Sequence, residues 1–138
     1  MPPHAPRAVL YVEDDRINTI LMEEVFRLLP DWQLECAEDA TQALALLQTL
    51  RPALVLIDMN LPDMNGIELL HRMRADPCLA TLPCVMLSAD DQPGDVAAAL
   101  AAGFAEYWVK PIDVSRLAAT LQATLLTDDA PTRRPSDA

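Results

Sequence analysis

Five polar side chains stand directly after short apolar runs, where they could act together on one charged ligand. They are Glu13, Asp14, Asp58, Ser88 and Lys110. Any one of them taken alone is readily explained as a solvated loop residue or a helix cap. Three carboxylates within a few ångströms, however, would repel by about 4 kcal/mol for each close pair at an effective dielectric constant of about 20. If the runs meet in the fold, we therefore expect a cation among these residues.

The available ligand types favour magnesium over zinc at such a site. Carboxylate and carbonyl oxygens are the ligands that Mg²⁺ takes in proteins, whereas zinc is bound mainly through histidine and cysteine. The chain has only two histidines, His4 and His71, and its three cysteines include no CxxC pair. The spacing therefore supports neither a zinc site nor a disulfide framework.

Lys110 is the only lysine of the chain, although nine arginines occupy the other basic positions. An ammonium group is a compact charge that can bridge a carboxylate and a phosphate oxygen, whereas a guanidinium group is larger and planar. We therefore interpret Lys110 as a functional side chain rather than a chance surface residue. Whether the Lys110–Pro111 peptide bond is cis or trans is not determined by the sequence.

Alternating strand and helix patterns predict the scaffold that positions these residues. Short apolar runs typical of strands cover 8–12, 32–37, 53–57, 84–88 and 106–109. Helical patterns cover 16–29, 39–50, 67–73, 93–102 and 113–126. Five such alternations predict a flavodoxin-like, doubly wound α/β fold, with five parallel strands in the order 2-1-3-4-5 between two layers formed by five helices. Ligands of such sheets collect at the carboxyl ends of the strands, where the polar side chains stand.

Size and charge narrow the class of protein. At 138 residues with 51% hydrophobic residues, the chain is expected to form one domain at 7–126, with a flexible start at 1–6 and a disordered tail at 127–138. The net charge of -11 would repel phosphate backbones and anionic lipids, so neither nucleic acid nor membrane is an expected partner. No run approaches the roughly 18 apolar residues of a membrane-spanning helix, and we expect a cytoplasmic location.

Four short segments carry a pattern that is specific in combination. They are VEDD at 12–15, LIDMNLPDMNG at 56–66, LSAD at 87–90 and YWVKP at 107–111. Together they resemble, in order and spacing, the CheY-like receiver domain of response regulators in bacterial two-component and phosphorelay systems. The resemblance covers about 7–126. It implies a domain that takes a phosphoryl group from a histidine kinase or a histidine phosphotransfer protein, with no turnover activity. Because few residues follow 126, we expect no DNA-binding output domain and a signal passed by protein contact.

The resemblance also assigns the phosphoryl and metal chemistry to individual residues. Asp58 corresponds to the phosphoacceptor, a carboxylate nucleophile whose reaction is assisted by Mg²⁺ and Lys110 as charge develops. Asp14, Asp58 and the backbone carbonyl of Asn60 correspond to the direct metal ligands. Glu13 would hold a metal-bound water.

Four further positions carry expectations from the family. Ser88 would hydrogen-bond the phosphoryl group. Tyr107 occupies the position of the switch aromatic, which is expected to turn inward once Ser88 is drawn toward the phosphoryl group. The change would reach a downstream protein through the face formed by the fourth helix, the fifth strand and the fifth helix. Asn60 and Asp90 would tune the phosphoryl lifetime. Trp108 departs from the smaller aliphatic residues usual at its position, and we predict that it is a buried core residue.

Other functions remain to be weighed against a phosphorylated receiver. One is a receiver-like docking module that no longer cycles phosphate, although the intact set of acids, Ser88 and Lys110 argues against it. A phosphatase of the haloacid dehalogenase type would need a DxDx[TV] strand end, which Asp58-Met59-Asn60-Leu61 does not supply. A flavodoxin-like redox function would need a hydroxyl-rich or glycine-rich phosphate loop after the first strand, and the sequence VEDD at 12–15 is not such a loop. Among receivers, the chain is either a stand-alone receiver or the receiver of a hybrid sensor kinase, and the phrases YVEDDRIN and AAGFAEYWVKPID look most like the second kind.

Overall fold

The computed structural model describes residues 7–89 and 92–128, which alternate strictly between strand and helix. The strands are β1 (Arg7–Val12), β2 (Trp32–Ala37), β3 (Leu54–Asp58), β4 (Cys84–Ser88) and β5 (Glu106–Val109). The helices are α1 (Arg16–Phe26), α2 (Ala40–Leu46), α3 (Gly66–Arg74), α4 (Pro93–Ala102) and α5 (Val114–Asp128). The predicted alternation is confirmed across these residues.

The strands form one parallel sheet in the predicted order, β2-β1-β3-β4-β5. β3 lies in the centre and every one of its residues is buried, which explains why its run is apolar on both faces. The chain passes from β1 to β2 on one side and crosses to β3 on the other. The sheet therefore has its switch point between β1 and β3, where doubly wound sheets bind ligands beside the carboxyl ends of their strands.

Two apolar layers cover the sheet because alternate residues of each strand face opposite sides. Leu10 of β1 packs in the layer that contains α2, α3 and α4, whereas Tyr11 packs in the layer that contains α1 and α5. On β5, Tyr107 lies in the first layer and Trp108 in the second. Trp108 is 2% exposed, so its predicted place in the core is confirmed.

Helix caps explain where several helices begin and end. The side chain of Asp15 accepts from the backbone N–H of Ile17 at 2.8 Å, and Asp39 and Asn65 cap α2 and α3 in a similar way. The predicted stop of α4 at Gly103 is confirmed. Its φ of 120° lies in the region that favours glycine.

Two predicted helix ends are wrong. α1 ends at Phe26 rather than at Leu29, and α2 ends at Leu46 rather than at residue 50. Beyond each end the chain continues in tighter turns, in which Leu29 N donates to Phe26 O at 3.0 Å and Thr49 N donates to Leu46 O at 3.2 Å. The apolar spacing continues through these turns, which is why it extended both helices too far.

The last helix is longer than predicted. α5 continues to Asp128, so residues 127 and 128 are helical and the predicted tail cannot begin before 129. The predicted flexible start at 1–6 and the remainder of the tail lie outside the described residues. Among the helices of the described segments, none has the length and apolar character needed to cross a bilayer.

Candidate functional site

The carboxyl ends of β1 and β3 bring three acidic side chains together. Glu13 and Asp14 follow β1, and Asp58 is the last residue of β3, which pairs directly with β1. One carboxylate oxygen from each of the three lies within 4.8 Å of the others. Glu13 and Asp58 are only 3% and 7% exposed, whereas Asp14 is exposed. The structure thus unites the acids that the sequence singled out.

Lys110 follows β5 and extends into this acidic cluster, defined as Glu13, Asp14 and Asp58. Its Nζ donates to Glu13 Oε1 at 2.8 Å and to Asp58 Oδ1 at 2.9 Å. Its backbone N–H donates to the carbonyl of Ser88 at 2.8 Å, which fixes it beside the end of β4. The Lys110–Pro111 bond is cis. One ammonium therefore bridges two of the three carboxylates, and the group as a whole stays negative.

The pKa shifts follow from this crowding. Burial raises the pKa of Asp58, and the charges of Glu13 and Asp14 add to that effect, while the hydrogen bond and charge of Lys110 oppose it. Burial alone would lower the pKa of Lys110, but its hydrogen bonds to Asp58 and Glu13 and their charges outweigh burial and raise it. Lys110 therefore stays charged, and the cluster remains short of positive charge.

The donor set fits a hard divalent cation. Every side chain of the cluster offers carboxylate oxygen, and no histidine or cysteine belongs to it within the described segments. Two of the carboxylates are buried, and one ammonium cannot neutralise three of them. The acidic cluster is therefore a site that could hold a metal ion.

The loop between β3 and α3 borders the cluster together with the end of β4. Ser88 is 2% exposed, and its Oγ lies 3.8 Å from Met59 Sδ. Asn60 is exposed, and the loop closes where Gly66 N donates to the carbonyl of Met59 at 2.9 Å. A Cβ at Gly66 would stand 3.0 Å from the carbonyl oxygen of Asp58. Glycine is thus needed for the loop that places the Asn60 backbone beside the phosphoacceptor candidate.

The remaining predicted residues are Tyr107 and Asp90. Tyr107 is 9% exposed and packs on the α4 side of the sheet, opposite the side occupied by Trp108. Asp90 lies outside the described residues. The roles of Ser88 and Tyr107 in a switch stay predictions, as does the influence of Asn60 and Asp90 on phosphoryl lifetime.

Comparison with known families decides the class of this fold and site. The sequence model of the family described as the response regulator receiver domain matches residues 9–122. This chain belongs to the response regulator receiver family. The resemblance found in the four sequence segments is thereby confirmed, and the strand order found here is that of the CheY-like receivers.

The relatives of this receiver include longer proteins and isolated domains. The DNA-binding response regulator MtrA of Mycolicibacterium smegmatis is 41% identical over 117 residues, which are 85% of this chain and 50% of MtrA. The chain thus spans about half the length of the curated relatives that it matches. The receiver domain of a signal transduction histidine kinase from Syntrophus aciditrophicus is 25% identical with a TM-score of 0.80, over 94% of this chain and 96% of that one. The Mn²⁺-bound form of response regulator Rcp1 is 30% identical with a TM-score of 0.70, over 86% and 91% of the two chains.

The receiver surrounds Glu13 with donors that the sequence analysis did not identify. The hydroxyl of Tyr11 donates to Glu13 Oε1 at 3.1 Å and Asn18 Nδ2 donates to the same oxygen at 3.3 Å, while Asp15 N donates to Oε2 at 3.1 Å. Burial and the charge of Glu13 raise the pKa of Tyr11, so its hydroxyl stays a donor at neutral pH. The sequence does carry a signal for the Tyr11 contact, because Tyr11 and Glu13 are two residues apart and such residues share a face of a strand.

Asp63 is a second residue of the receiver that the sequence analysis missed. Its carboxylate accepts from Ala40 N at 3.0 Å, from Thr41 N at 2.8 Å and from Thr41 Oγ1 at 2.7 Å. The Thr41 hydroxyl and these amides lower the pKa of Asp63 to about 2. The loop after the phosphoacceptor candidate is thereby tied to the first turn of α2.

Proposed function

We propose that this receiver takes a phosphoryl group onto Asp58 from a phosphohistidine of a histidine kinase or a histidine phosphotransfer protein. The observation that carries the proposal is the position of Asp58. Its carboxylate ends the central strand, stands within 4.8 Å of two further acids and is held by Lys110 Nζ at 2.9 Å. A buried carboxylate fixed by an ammonium at the switch point of a doubly wound sheet is a well-positioned nucleophile.

The chemistry follows from the groups around Asp58. One of its oxygens would form a bond to phosphorus while the bond from phosphorus to the donor histidine nitrogen breaks, and the electron pair of that bond returns to the nitrogen. Lys110 already contacts Asp58, so its ammonium can turn to a phosphoryl oxygen without leaving the cluster. The receiver would modify itself once in each cycle, so we propose a phosphoacceptor domain and not a turnover enzyme.

The residues also fit Mg²⁺ as the cation of this site. Asp14 and Asp58 would bind it through their carboxylates, Asn60 through its backbone carbonyl, and Glu13 through a water molecule. When bound, the ion would supply neutralisation of the charge on the phosphoryl oxygens. The negative charge left over in the cluster supports this proposal, as does the similarity to Rcp1, which has been solved with Mn²⁺ bound.

The output of the reaction would be a change of surface rather than a product. The phosphoryl group would replace the single negative charge of the Asp58 carboxylate with about 1.5 to 2 negative charges beside the end of β4. We expect Ser88 to hydrogen-bond it and Tyr107 to turn inward, which would alter the face formed by α4, β5 and α5 for a downstream protein. We further propose that the whole protein is a hybrid kinase whose receiver acts in the cytoplasm, and the likeness to a receiver of a histidine kinase supports the hybrid-kinase arrangement.

The test is the intact mass of the protein after incubation with acetyl phosphate and Mg²⁺. We expect one phosphoryl adduct on the wild type, none on Asp58→Asn and a strongly reduced amount on Lys110→Ala. Asp31→Asn is the matched control and should be labelled normally, because Asp31 is an exposed acid at the amino end of the sheet, just before β2, whereas the acidic cluster lies at the carboxyl end. Labelling of Asp58→Asn at the wild-type level would overturn the assignment. Absence of any adduct, also with a phosphohistidine donor, would favour the docking module.

A further inference from the structure

Glu13 is the most heavily hydrogen-bonded carboxylate beside Asp58. Its Oε1 accepts from Lys110 Nζ at 2.8 Å, from the Tyr11 hydroxyl at 3.1 Å and from Asn18 Nδ2 at 3.3 Å. Only the first of these three donors carries a charge. The three come from different parts of the chain: Tyr11 from β1, Asn18 from the first turn of α1 and Lys110 from the end of β5.

A buried carboxylate makes a strict demand on its donors. Glu13 is 3% exposed, so bulk water cannot readily replace a donor that leaves Oε1, and an unsatisfied buried charge is costly. In the proposed transfer, Lys110 must turn from Glu13 and Asp58 toward a phosphoryl oxygen. Glu13 then loses its charged donor while the negative charge of the site grows.

We propose that Tyr11 is a positioning residue for Lys110, assisted by Asn18. The two neutral donors hold Glu13 in place and satisfy its Oε1 after Lys110 has turned away. The ammonium of Lys110 can therefore move more easily to a phosphoryl oxygen. Tyr11 has no contact with Asp58 among the hydrogen bonds of the described residues, so it acts through Glu13. This inference rests on the proposed phosphoryl transfer to Asp58.

Tyr11 is suited to this role by its location. It is 1% exposed, and its ring packs between the sheet and the layer of α1 and α5, so its hydroxyl is directed by the fold and not by chance surface contact. Its ring and Lys110 also line the same cavity of about 160 Å³, whose wall includes Leu21 and Met22 of α1. The lysine stem therefore has free space beside it on the Tyr11 side.

The experiment measures the affinity for beryllofluoride, a phosphoryl mimic, at saturating Mg²⁺ in the wild type and four variants. Tyr11→Phe removes only the hydroxyl and Asn18→Ala only the amide, and each should weaken binding by roughly three- to tenfold. In the double variant, the affinity for beryllofluoride should fall by at least the product of the two single fold-changes. Thr49→Ala removes an exposed hydroxyl far from the site and should bind as the wild type does. Melting temperatures measured alongside should stay within a few degrees, which separates a positioning role from a purely structural one.

The single lysine provides a second readout without metal or phosphoryl mimic. Labelling with ¹⁵N-lysine gives one side-chain ammonium signal, which reports only Lys110. In the metal-free protein, Tyr11→Phe should shift this signal because Lys110 no longer shares Glu13 Oε1 with a hydroxyl, and Thr49→Ala should not. An unshifted signal together with wild-type affinity in Tyr11→Phe and Asn18→Ala would overturn the inference while the proposed function stands. A wild type that binds no beryllofluoride would overturn both.

Discussion

Replacing Asp58 with asparagine should stabilise this receiver when divalent cations are absent, although it removes the proposed nucleophile. The substitution keeps the size of the side chain and an oxygen that can accept from Lys110. It removes one of three clustered negative charges. Burial and the neighbouring acids raise the pKa of Asp58 in the folded protein, so its ionisation opposes folding.

The magnitude can be worked from the distances. Because the three carboxylate oxygens lie within 4.8 Å of one another, each pair repels by at least about 3.5 kcal/mol at an effective dielectric constant of about 20, so Glu13 and Asp14 together oppose the charge of Asp58 by at least about 7 kcal/mol. At the same dielectric constant, the ammonium of Lys110, whose Nζ lies 2.9 Å from Asp58 Oδ1, attracts the charge of Asp58 by about 6 kcal/mol. The net repulsion is therefore at least about 1 kcal/mol, and the burial of Asp58 adds to it. We therefore expect Asp58→Asn to raise the free energy of unfolding by about 1 to 2 kcal/mol at pH 7.

Urea unfolding in a chelating buffer measures this difference, with Asp31→Asn as the control. Both variants remove one negative charge from a chain of net charge -11, but only one removes it from the cluster. Because the folded pKa of Asp58 lies above its unfolded value, the wild type is free of the penalty below about pH 4 and acquires it as pH rises through the folded pKa. The advantage of Asp58→Asn should therefore vanish in acid, and Mg²⁺ should stabilise the wild type more than the variant. An Asp58→Asn protein no more stable than wild type at pH 7 would refute the reasoning.

Three further predictions concern the surroundings of the site. Gly66→Ala should lower the free energy of unfolding by about 1 to 3 kcal/mol because its Cβ would stand 3.0 Å from a backbone oxygen. Gly94→Ala should leave stability unchanged or raise it, since a Cβ there would have nothing within 4 Å. Urea unfolding compares the two variants. Asp63→Asn should cost about 1 kcal/mol at neutral pH through the weakened cap of α2. Since the folded pKa of Asp63 is lowered to about 2, that difference should be present above about pH 4 and fade toward pH 2 in a pH series of unfolding curves. Trp108→Phe should cost about 1 to 2 kcal/mol through loss of the indole bond to Glu106 at 2.7 Å, and an unchanged melting temperature would show that this bond contributes nothing.

The sheet could be predicted from sequence because its signals are local and unambiguous. The run that ends at Asp58 is apolar on both faces, which only a central strand requires, and each of the first four helices separates two strands. Helix ends were less predictable, because Leu29 keeps the apolar spacing of α1 although its amide already bonds in a tighter turn. The cap that Asp63 provides for α2 links residues more than twenty positions apart, so no local pattern announces it.

For the site as well, the residue types predicted some features, whereas others depend on the tertiary structure. Parallel strands share an edge, so acids and a lysine at strand ends had to meet, and their charges alone indicated a cation. Which donor holds which oxygen depends on three elements that meet only in the folded chain, since Tyr11, Asn18 and Lys110 all contact one oxygen of Glu13. That sharing affects the chemistry, because a lysine that must move to a phosphoryl oxygen moves more easily when neutral donors already satisfy the carboxylate it leaves. The charged residues indicate what reaction the receiver can perform, and the uncharged ones around Glu13 set how readily its lysine takes part.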